Sequence, residues 1–375
     1  MSIGHCHEDV VERISNQAAL LGHTSTLYIN VPQISVARKL AEIAPRGLRS
    51  SFFTNSGTEA VETAITLAQL YTGRTEIIAL RLSYSGRSVL ATNLTAHASW
   101  RPTPTTFPGI KHPRSPYLYR SHFDPVGDPA EQFAQDIEEV ILTTTSGKPA
   151  AFFAETIQGV GGYIVPPPRY FRLAADIIHK YGGLFIADEV QTGFGRTGRK
   201  WFGIEHWDVT PDIMVMAKGI ANGFPVGATI TRPNIAAAWT AKSISTYGGN
   251  PLAMAAASAT IDVMRCEDTP RRSHERGCQL REGLDQLYAR YDWIGEVRGM
   301  GLMQALELVE NRVSKTPAPQ KAQALLEAAK DEGLLLGIGG QYGHVIRMGP
   351  SMLVSKDEID DALERLARAA ARAEG

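Results

Sequence analysis

The chain has 375 residues, of which 43% are hydrophobic and 21% are charged, a composition typical of a globular protein. This length can hold one large domain and a smaller one. The formal net charge of −1 at pH 7 argues against nucleic acid and anionic membranes as partners.

The sequence shows no targeting signal. The amino terminus MSIGHCHEDVVERI lacks a basic region followed by an apolar one, so we expect no signal peptide. No stretch reaches the roughly 18 apolar residues that spanning a bilayer requires. The cysteines are odd in number and far apart, at Cys6, Cys266 and Cys278, which favours a reducing compartment. We therefore predict a cytoplasmic protein.

The first predicted elements are two amphipathic helices. Val10, Ile14 and Leu21 recur at helical spacing, and a second helix is predicted from Pro32 to Ala44. The segment His5–His7 could suggest a metal site, but adjacent ligands do not match zinc spacing and no second cluster follows. We expect no metal.

A strand, a turn and a helix follow in SFFTNSGTEAVETAITLAQLYTG. Phe52–Phe53 predicts the strand, Asn55–Gly57 the turn, and a helix runs from Thr58 to its end at Gly73. Free backbone N–H groups and the helix dipole at such a turn favour an anion. Ordinary capping of the helix by Ser56 or Thr58 explains the same residues equally well.

The next strand, in EIIALRLSYSGRS, leaves Tyr84 at its carboxyl end. A ring there could stack on a flat cofactor or be an ordinary core tyrosine. Residues 91–128 are rich in Pro, Thr and His without periodicity, so we predict a long surface excursion. A helix from Ala130 to Thr144 resumes the regular structure.

The central segment, residues 150–223, contains three short apolar runs that each end on a charged residue. AAFFA leads to Glu155, GGLFIA to Asp188, and DIMVMA to Lys218. Their spacing of roughly 30 residues matches strand–helix–strand units, and such apolar runs suit parallel strands buried on both faces. Ligands bind beyond the carboxyl ends of these strands. The sequence therefore predicts a site where the three charged residues meet.

A lysine and two acids at one site suit pyridoxal phosphate chemistry. That chemistry needs a lysine to hold the cofactor aldehyde and an acid to keep the ring nitrogen protonated, so that the ring acts as an electron sink. Lys218 and Asp188 are the candidates for these tasks. The structural alternatives are a solvated surface lysine and capping of strand ends by the acids.

The pattern G-x-G-x-x-G, at Gly193, Gly195 and Gly198, is typical of dinucleotide binding but lacks the required context. It should open a helix, whereas RKWFGIEHWDVTP follows. The acidic partner should come about 20 residues later, whereas Asp188 precedes the glycines. We therefore do not predict a nicotinamide-dependent dehydrogenase.

The carboxyl-terminal part has a different pattern of residues. Thr246–Asn250 forms a tight turn before a helix near Pro251, and offers phosphate contact from this chain or a partner subunit. Beyond about Ile261, charged helices alternate with short strands, which predicts a smaller α+β domain. Arg347, in the strand VIRMGP, is either a bidentate carboxylate clamp or part of a structural ion pair.

These residues carry a resemblance to a known family. The strings NSGTEAVETAI, ADEVQTGFGRTG, MAKGIANGFPVGA, TYGGNP and VRGMGLM closely resemble the class III aminotransferases, which are fold type I pyridoxal phosphate enzymes. AETIQGVGG, EHWDVTPDI and RMGPSM look most like the alanine–glyoxylate aminotransferase 2 branch, with 4-aminobutyrate and ornithine aminotransferases and phospho-lyases as neighbours. The resemblance implies an α/β fold, with a large domain around a mostly parallel sheet and a smaller α+β carboxyl-terminal domain.

The resemblance also implies domain boundaries. Residues 1–30 form an amino-terminal segment, residues 31–258 the large cofactor-binding domain, and residues 259–375 the small domain. Family members carry a further segment ahead of GHCH that supplies pocket wall and part of the dimer interface, so we expect either a truncated reading frame or a divergent member of the family with an altered substrate pocket. Ser85 also departs from the family, which has a histidine there.

The resemblance implies a role for each site residue. Lys218 holds the cofactor as a Schiff base and shuttles a proton, Asp188 pairs with the ring nitrogen, and Arg347 takes the substrate α-carboxylate. Further cofactor-binding residues are Ser56, Gly57 and Thr58 at the phosphate, Tyr84 and Val190 on the two ring faces, Gln191 and Glu155 near the ring hydroxyl, and Thr246 from the partner subunit of a homodimer.

Substrate preference follows from one position. In 4-aminobutyrate- and ornithine-type members a glutamate masks the substrate arginine, and Val160 occupies that position here. Arg347 should therefore stay free, which implies a preference for α-carboxylate donors such as alanine, with glyoxylate or pyruvate as acceptor.

The predicted function is pyridoxal phosphate-dependent transfer of an amino group, by ping-pong chemistry, from an alanine-like or omega-amino acid to a 2-oxo acid or glyoxylate. The expected partners are these small molecules and a second copy of the chain, without nucleic acid or membrane. Alternatives are a phospho-lyase or isomerase with the same cofactor, or an inactive dimeric homologue with a binding or regulatory role.

Overall fold

A computed structural model describes residues 1–102 and 107–374. Within these residues the strands form two sheets, with the orders β1-β7-β6-β5-β4-β2-β3 and β10-β11-β9-β8. The strands are β1 Ser50–Thr54, β2 Ile77–Ala79, β3 Ile110–Lys111, β4 Ala151–Glu155, β5 Leu184–Asp188, β6 Ile213–Met216, β7 Gly227–Thr231, β8 Ile294–Met300, β9 Met303–Leu308, β10 Gly337–Gly339 and β11 Val345–Met348.

Helices surround both sheets. They are α1 Glu8–Leu20, α2 Val31–Ile43, α3 Gly57–Thr72, α4 Val89–Leu94, α5 Pro129–Thr144, α6 Tyr170–Lys180, α7 Pro233–Ala236, α8 Pro251–Cys266, α9 Thr269–Arg290, α10 Pro319–Asp331 and α11 Lys356–Glu374. In the described part of the chain, no helix is both long and apolar enough to cross a bilayer.

The centre of the first sheet is parallel. β4 pairs with β2 and β5, and β5 pairs with β6, all in parallel, whereas β7 and β1 join in antiparallel orientation. Each residue of β4, β5 and β6 is buried. Phe152 packs in the core shared with α5 and α6, and Phe153 in the core shared with α3 on the opposite face. Burial on both faces explains the uninterrupted apolar runs, and the predicted α/β class with a mostly parallel sheet is confirmed.

The prediction of a plain surface excursion over residues 91–128 was wrong in part. Helix α4 buries Ala91 and Leu94 beneath α3, and strand β3 pairs with β2 at the sheet edge. The helix is only six residues long, too short to show an apolar periodicity. Residues 103–106 of this stretch lie outside the described part of the chain.

The second sheet has a hydrophobic core of its own. Leu306 and Ile346 of this sheet pack with Leu284 of α9, Leu325 of α10 and Leu366 of α11. The short predicted strands after Ile261 therefore form one antiparallel sheet under helices. The predicted boundary between residues 258 and 259 falls inside α8, and the division into domains stays a prediction.

Candidate active site

The three charged residues that end the central apolar runs lie at the same edge of the first sheet. Glu155 and Asp188 are register partners at the ends of β4 and β5, and Lys218 follows β6 by two residues. They border one cavity of about 430 Å³. The predicted residues among its lining are Ser56, Gly57, Thr58, Tyr84, Glu155, Asp188, Val190, Gln191 and Lys218.

Lys218 opens a short 3-10 turn, Lys218–Ala221, with a backbone φ of 27°. A positive φ is uncommon for a residue with a side chain and is found mainly at functional or strained sites. Its Nζ donates to Gln191 Oε1 at 3.3 Å. The side chain is exposed to the cavity, yet the surrounding protein atoms desolvate the amine and lower its pKa, against the attraction of Glu155 and Asp188. A lowered pKa leaves more of the amine neutral and nucleophilic.

Asp188 is a buried carboxyl group that faces the cavity. Its Oδ1 accepts the Val190 N–H at 3.0 Å, whereas no hydrogen bond or ion pair from the described residues reaches Oδ2. Burial, reinforced by the negative charge of Glu155, raises the pKa of Asp188 to about 7. The site therefore presents an acid that a cationic ligand group would stabilise in its ionised form.

Glu155 connects two loops at the rim of the cavity. Its Oε1 accepts the Tyr84 N–H and its Oε2 accepts the Gly159 N–H, each at 2.8 Å. Burial raises the pKa of Glu155, while these two hydrogen bonds and the charges of Lys218 and Arg347 oppose the shift. Glu155 thus fixes the chain around Tyr84 and Gly159 relative to Asp188.

The amino terminus of α3 lines the same cavity. Ser56 caps this helix and accepts the Glu59 N–H at 3.4 Å, and the Thr58 hydroxyl lies 2.7 Å from Ser88 Oγ. A side chain at Gly227 would clash with the Ser56 carbonyl oxygen, so the glycine lets β7 pass beside the turn. The arrangement leaves a helix start open to an anion.

Arg347 lies next to this cavity but is absent from its lining. Its Nη1 donates to the Gly159 carbonyl at 3.0 Å and its Nη2 to the Ile338 carbonyl at 2.9 Å. Among the described residues, no carboxylate comes within ion-pairing distance of Arg347, so the alternative of a structural ion pair is wrong. Val160, at the predicted position beside it, is buried.

Thr246 is exposed and does not border the cavity of its own chain. It precedes Tyr247, whose ring lies 4.8 Å from His23. Its predicted contact comes from a partner subunit, so one chain neither supports nor contradicts it.

Sequence reasoning missed two charged residues: Arg87, which lines the cavity, and Glu189, which follows Asp188 in the chain but does not line the cavity. The Arg87 side chain makes no hydrogen bond or ion pair with the described residues; its place in the turn after Tyr84 was the available signal. Glu189 is fully buried, and burial raises its pKa to about 7. Glu189 accepts hydrogen bonds from the Thr156 and Thr192 hydroxyls and from the Gly203 and Ile204 N–H groups.

The donor set fits pyridoxal 5′-phosphate. The α3 amino terminus suits the phosphate, the unpartnered oxygen of buried Asp188 suits a protonated ring nitrogen, and the amine of Lys218 suits the aldehyde. Tyr84 and Val190 border the same space, where a flat ring needs apolar contacts. The cavity thus offers groups that suit the phosphate, the ring nitrogen and the aldehyde of the cofactor.

Comparison with known proteins agrees with this geometry. The family model described as class-III aminotransferase matches residues 1–370. Alanine–glyoxylate aminotransferase 2 homolog 2, mitochondrial, of Arabidopsis thaliana is 41% identical over 367 residues, covering 98% of this chain and 76% of that protein. The human alanine–glyoxylate aminotransferase 2, mitochondrial, is 35% identical over 386 residues, covering 97% and 75%.

Solved structures give the same result. The crystal structure of an amine transaminase from an uncultivated Pseudomonas species, in a PLP-bound (internal aldimine) form, superposes with a TM-score of 0.93 at 32% identity. The match covers 99% of this chain and 88% of that one. The chain therefore belongs to the class-III aminotransferases, fold type I enzymes that transfer amino groups with pyridoxal 5′-phosphate.

Proposed function

We propose that this transaminase takes its amino group from an α-amino acid resembling alanine and passes it to glyoxylate or pyruvate. The observation that carries the proposal is the environment of Arg347, which has no carboxylate partner among the described residues and lies beside the uncharged Val160. A free guanidinium can hold the α-carboxylate of a donor. The names of the plant and human relatives support the same substrate pair.

The guanidinium of Arg347 is held in place by backbone carbonyls. Gly159 and Ile338 accept from its two Nη atoms, and Tyr163 lies against it with its ring centroid 5.6 Å away. These neutral acceptors orient the group without neutralising its charge. A substrate carboxylate would therefore meet a preorganised cation, which strengthens binding.

We propose the following roles for the residues of the cavity. The bound cofactor supplies a ring that accepts electrons from the substrate carbon. Lys218 Nζ moves the proton at that carbon, and its lowered pKa suits it to this task near neutral pH. Asp188 holds the ring nitrogen protonated, while Ser56, Gly57 and Thr58 bind the phosphate. Tyr84 and Val190 hold the two ring faces, and Glu155 and Gln191 lie near the ring hydroxyl.

The substitution Val160→Glu tests the substrate preference. A glutamate here would place a carboxylate beside Arg347 and compete with the α-carboxylate of alanine, so kcat/KM for alanine should fall by about 10- to 100-fold. Use of a donor with a terminal amine should fall less. The uncharged variant Val160→Gln controls for size. An improved preference for alanine over the terminal amine in Val160→Glu would refute the proposal.

The type of reaction is checked by stoichiometry. A transaminase forms one keto acid from the donor for each amino group that reaches the acceptor, whereas a phospho-lyase or isomerase with the same cofactor does not. A visible absorbance band at ~400–430 nm, bleached by the amino donor, separates an active enzyme from an inactive homologue.

We also propose a homodimer in which Thr246 reaches the phosphate of the partner subunit. Exposed apolar side chains lie in the segment around residues 20–31 and at Tyr247 beside Thr246: Leu20, Leu27, Tyr28, Ile29, Val31 and Tyr247, with Ile29 86% exposed. The two segments meet where the Tyr247 ring lies 4.8 Å from that of His23 and Asn30 Nδ2 donates to the Gly249 carbonyl at 3.4 Å, and an exposed apolar patch of this kind marks an interface. A second copy of this chain is the proposed occupant, because the patch is continuous with a residue expected to complete the partner's site.

Light scattering of Ile29→Asp, with Val313→Asp as control, tests the dimer. Val313 is 96% exposed elsewhere on the surface. We expect Ile29→Asp to be monomeric and to bind the cofactor more weakly, and Val313→Asp to behave like the wild type. A wild type that is monomeric with full cofactor occupancy would refute the proposal.

The cytoplasm is our proposed compartment. Cys6, Cys266 and Cys278 are free and exposed thiols, which supports a reducing environment. Because relatives are named mitochondrial, cell fractionation with a marker for each compartment is the appropriate test.

A further inference from the structure

The side chain of Asn222 joins the turn that carries Lys218 to the amino terminus of the chain. Asn222 directly follows the Lys218–Ala221 turn and has a left-handed backbone conformation, with φ 44° and ψ 41°. Its Oδ1 accepts the Ile3 N–H at 3.1 Å, and its Nδ2 donates to the Gly4 carbonyl at 2.8 Å. We refer to these two hydrogen bonds as the Asn222 bridge. Asn222 is buried and its hydrogen bond with the Gly4 carbonyl is partly buried, so competition from solvent is reduced.

The amino-terminal residues also contact the segment that follows β11. The Ser2 carbonyl accepts the Met352 N–H at 2.8 Å, four residues beyond the end of the strand that carries Arg347. Ser2 Oγ lies so close to the Lys218 turn that a side chain on Gly219 would approach it to 2.9 Å. Residues 2–4 therefore connect the turn of Lys218 to the chain beyond Arg347.

The Lys218 turn needs such support because its own conformation is unfavourable. Lys218 and Asn222 both have positive φ, and the turn lies beyond the end of β6, outside its ladder of hydrogen bonds. A residue held in this region is strained and persists only when the surroundings fix it. Asparagine tolerates the left-handed region better than most residues, and its amide supplies both a donor and an acceptor.

We propose that Asn222 is a positioning residue for Lys218: the Asn222 bridge holds the lysine turn against residues 3–4 and keeps the amine aimed into the cavity. This inference rests on the proposed role of Lys218 in holding the cofactor. The bridge acts through the backbone, since the charged groups that face Lys218 are Glu155, Asp188 and Arg347. Asn222 bonds to Ile3 and Gly4 instead. Its effect should therefore be separable from the electrostatics of the site.

The substitution Asn222→Asp tests the bridge with minimal change in size. An ionised aspartate still accepts from Ile3 but cannot donate to the Gly4 carbonyl, and one lost buried hydrogen bond corresponds to about a 3- to 10-fold effect. Cofactor-free protein is mixed with pyridoxal 5′-phosphate, reduced with borohydride at timed intervals, and digested. Mass spectrometry of the Lys218 peptide then gives the rate of attachment. Hydrogen–deuterium exchange of residues 216–226 in the cofactor-free protein provides a second measurement.

A matched control and a pH series make the test specific. Asn234→Asp is the same chemical change at an exposed asparagine that bonds to Tyr71 Oη at 3.2 Å. We expect Asn222→Asp to attach the cofactor about 3- to 10-fold more slowly and to exchange faster in the turn, with the control unchanged. Burial raises the pKa of the introduced carboxyl group, and its protonation restores a donor toward Gly4, so the ratio of variant to wild-type rates should rise as the pH falls from about 8 to about 5.5.

The outcomes discriminate between the claims. If the wild type is not labelled at Lys218, the proposed role of the lysine is wrong, and the positioning role of Asn222 is wrong with it. If the wild type is labelled and Asn222→Asp matches it in rate and exchange, only the positioning role is refuted. Asn222→Gly, which allows positive φ but removes both hydrogen bonds, should reproduce the loss without the recovery at low pH. If both variants are unfolded by circular dichroism while Asn234→Asp folds, the bridge is a general folding element and the proposal is wrong.

Discussion

Glu155 and Asp188 are register partners on adjacent parallel strands, so two buried carboxyl groups lie side by side at the base of one cavity. Burial raises the pKa of both, and the charge of Glu155 adds to the shift of Asp188, while Lys218 opposes both shifts. In the cofactor-free protein this pair stores unfavourable free energy. A cationic group bound beside Asp188 would remove this unfavourable free energy by stabilising the carboxylate. Cofactor binding should therefore stabilise the site.

The first prediction is that Asp188→Asn stabilises the cofactor-free protein at pH 8 while weakening cofactor binding. The pKa of Asp188 is raised from 3.8 to about 7, so the folded state binds this proton more tightly than the unfolded chain does. The contribution of the Asp188 carboxyl group to the free energy of unfolding is therefore fully present below pH 3.8 and is lost as the pH rises to about 7. The loss is at most roughly 4 kcal/mol, the free energy that corresponds to that change in pKa.

Urea unfolding of cofactor-free protein at pH 5 and pH 8 measures this effect. The wild type should lose stability between these values, and Asp188→Asn should lose less. The exposed Asp176→Asn serves as the control. Equal pH dependence in wild type and Asp188→Asn would contradict the raised pKa, and unchanged cofactor affinity in the variant would contradict the pairing with the ring nitrogen.

The second prediction concerns the close approach of Gly159 to the cavity. A side chain there would clash with Gln191 Oε1 and come within 3.3 Å of Glu155 Oε2. Gly159→Ala must therefore push Gln191 away from Lys218, which it contacts at 3.3 Å. We expect a small loss of stability, because the clashing atom is the far end of a flexible side chain, and a kcat reduced by about 10- to 100-fold.

Gly22→Ala provides the control for Gly159→Ala. A side chain at Gly22 meets only Leu252 Cδ1 at 3.8 Å, which is an ordinary contact. Thermal unfolding and steady-state kinetics of both variants measure the difference. A Gly159→Ala enzyme with the stability and kcat of the wild type would show that the turn around Gly159 moves freely, contrary to its hydrogen bonds with Glu155 and Arg347.

The third prediction is that Glu307→Gln strongly destabilises the contact between the second sheet and the 159–163 turn. Glu307 is buried and contacts the guanidinium groups of Arg120 and Arg298, while Arg298 Nε donates to the Gly162 carbonyl at 2.8 Å. Burial opposes ionisation of Glu307, but two guanidinium groups in direct contact favour its carboxylate form. Loss of the Glu307 charge leaves Arg120 without a carboxylate partner among the described residues and leaves Arg298 with Glu296 alone, and breaking a buried pair in this way typically costs about 3–5 kcal/mol.

Glu327→Gln is the matched control for Glu307→Gln. Glu327 pairs with Lys330 on an exposed helix surface, where such pairs contribute about 0.2–1 kcal/mol. Urea unfolding should therefore separate the two variants clearly. Similar losses for Glu307→Gln and Glu327→Gln would mean that solvent reaches the buried pair.

The sequence predicts the parts of this site that depend on local pattern. Glu155, Asp188 and Lys218 each end an apolar run, and parallel strands bring such ends together. The Asn222 bridge has no such signal, because its partners Ile3 and Gly4 lie more than 200 residues away in the chain. In the sequence, Glu189 is an acidic residue next to Asp188 with no sign that it is buried. Its hydrogen bonds from the Thr156 hydroxyl and the Ile204 N–H form only in the folded chain.

The fourth prediction assigns a second anion contact to Arg87. Arg87 lines the cavity beyond Tyr84, and none of the described residues pairs with it. A substrate with a second carboxylate could bind it while Arg347 holds the first. We expect Arg87→Gln to raise KM for a dicarboxylic acceptor by about 10- to 100-fold, because a hydrogen-bonded charge pair contributes roughly 1.5–3 kcal/mol.

Alanine has a single carboxylate, so its KM should stay within about twofold in Arg87→Gln. The exposed Arg38→Gln is the control and should change neither KM value. Equal losses for alanine and the dicarboxylic acceptor in Arg87→Gln would instead place Arg87 at the cofactor phosphate.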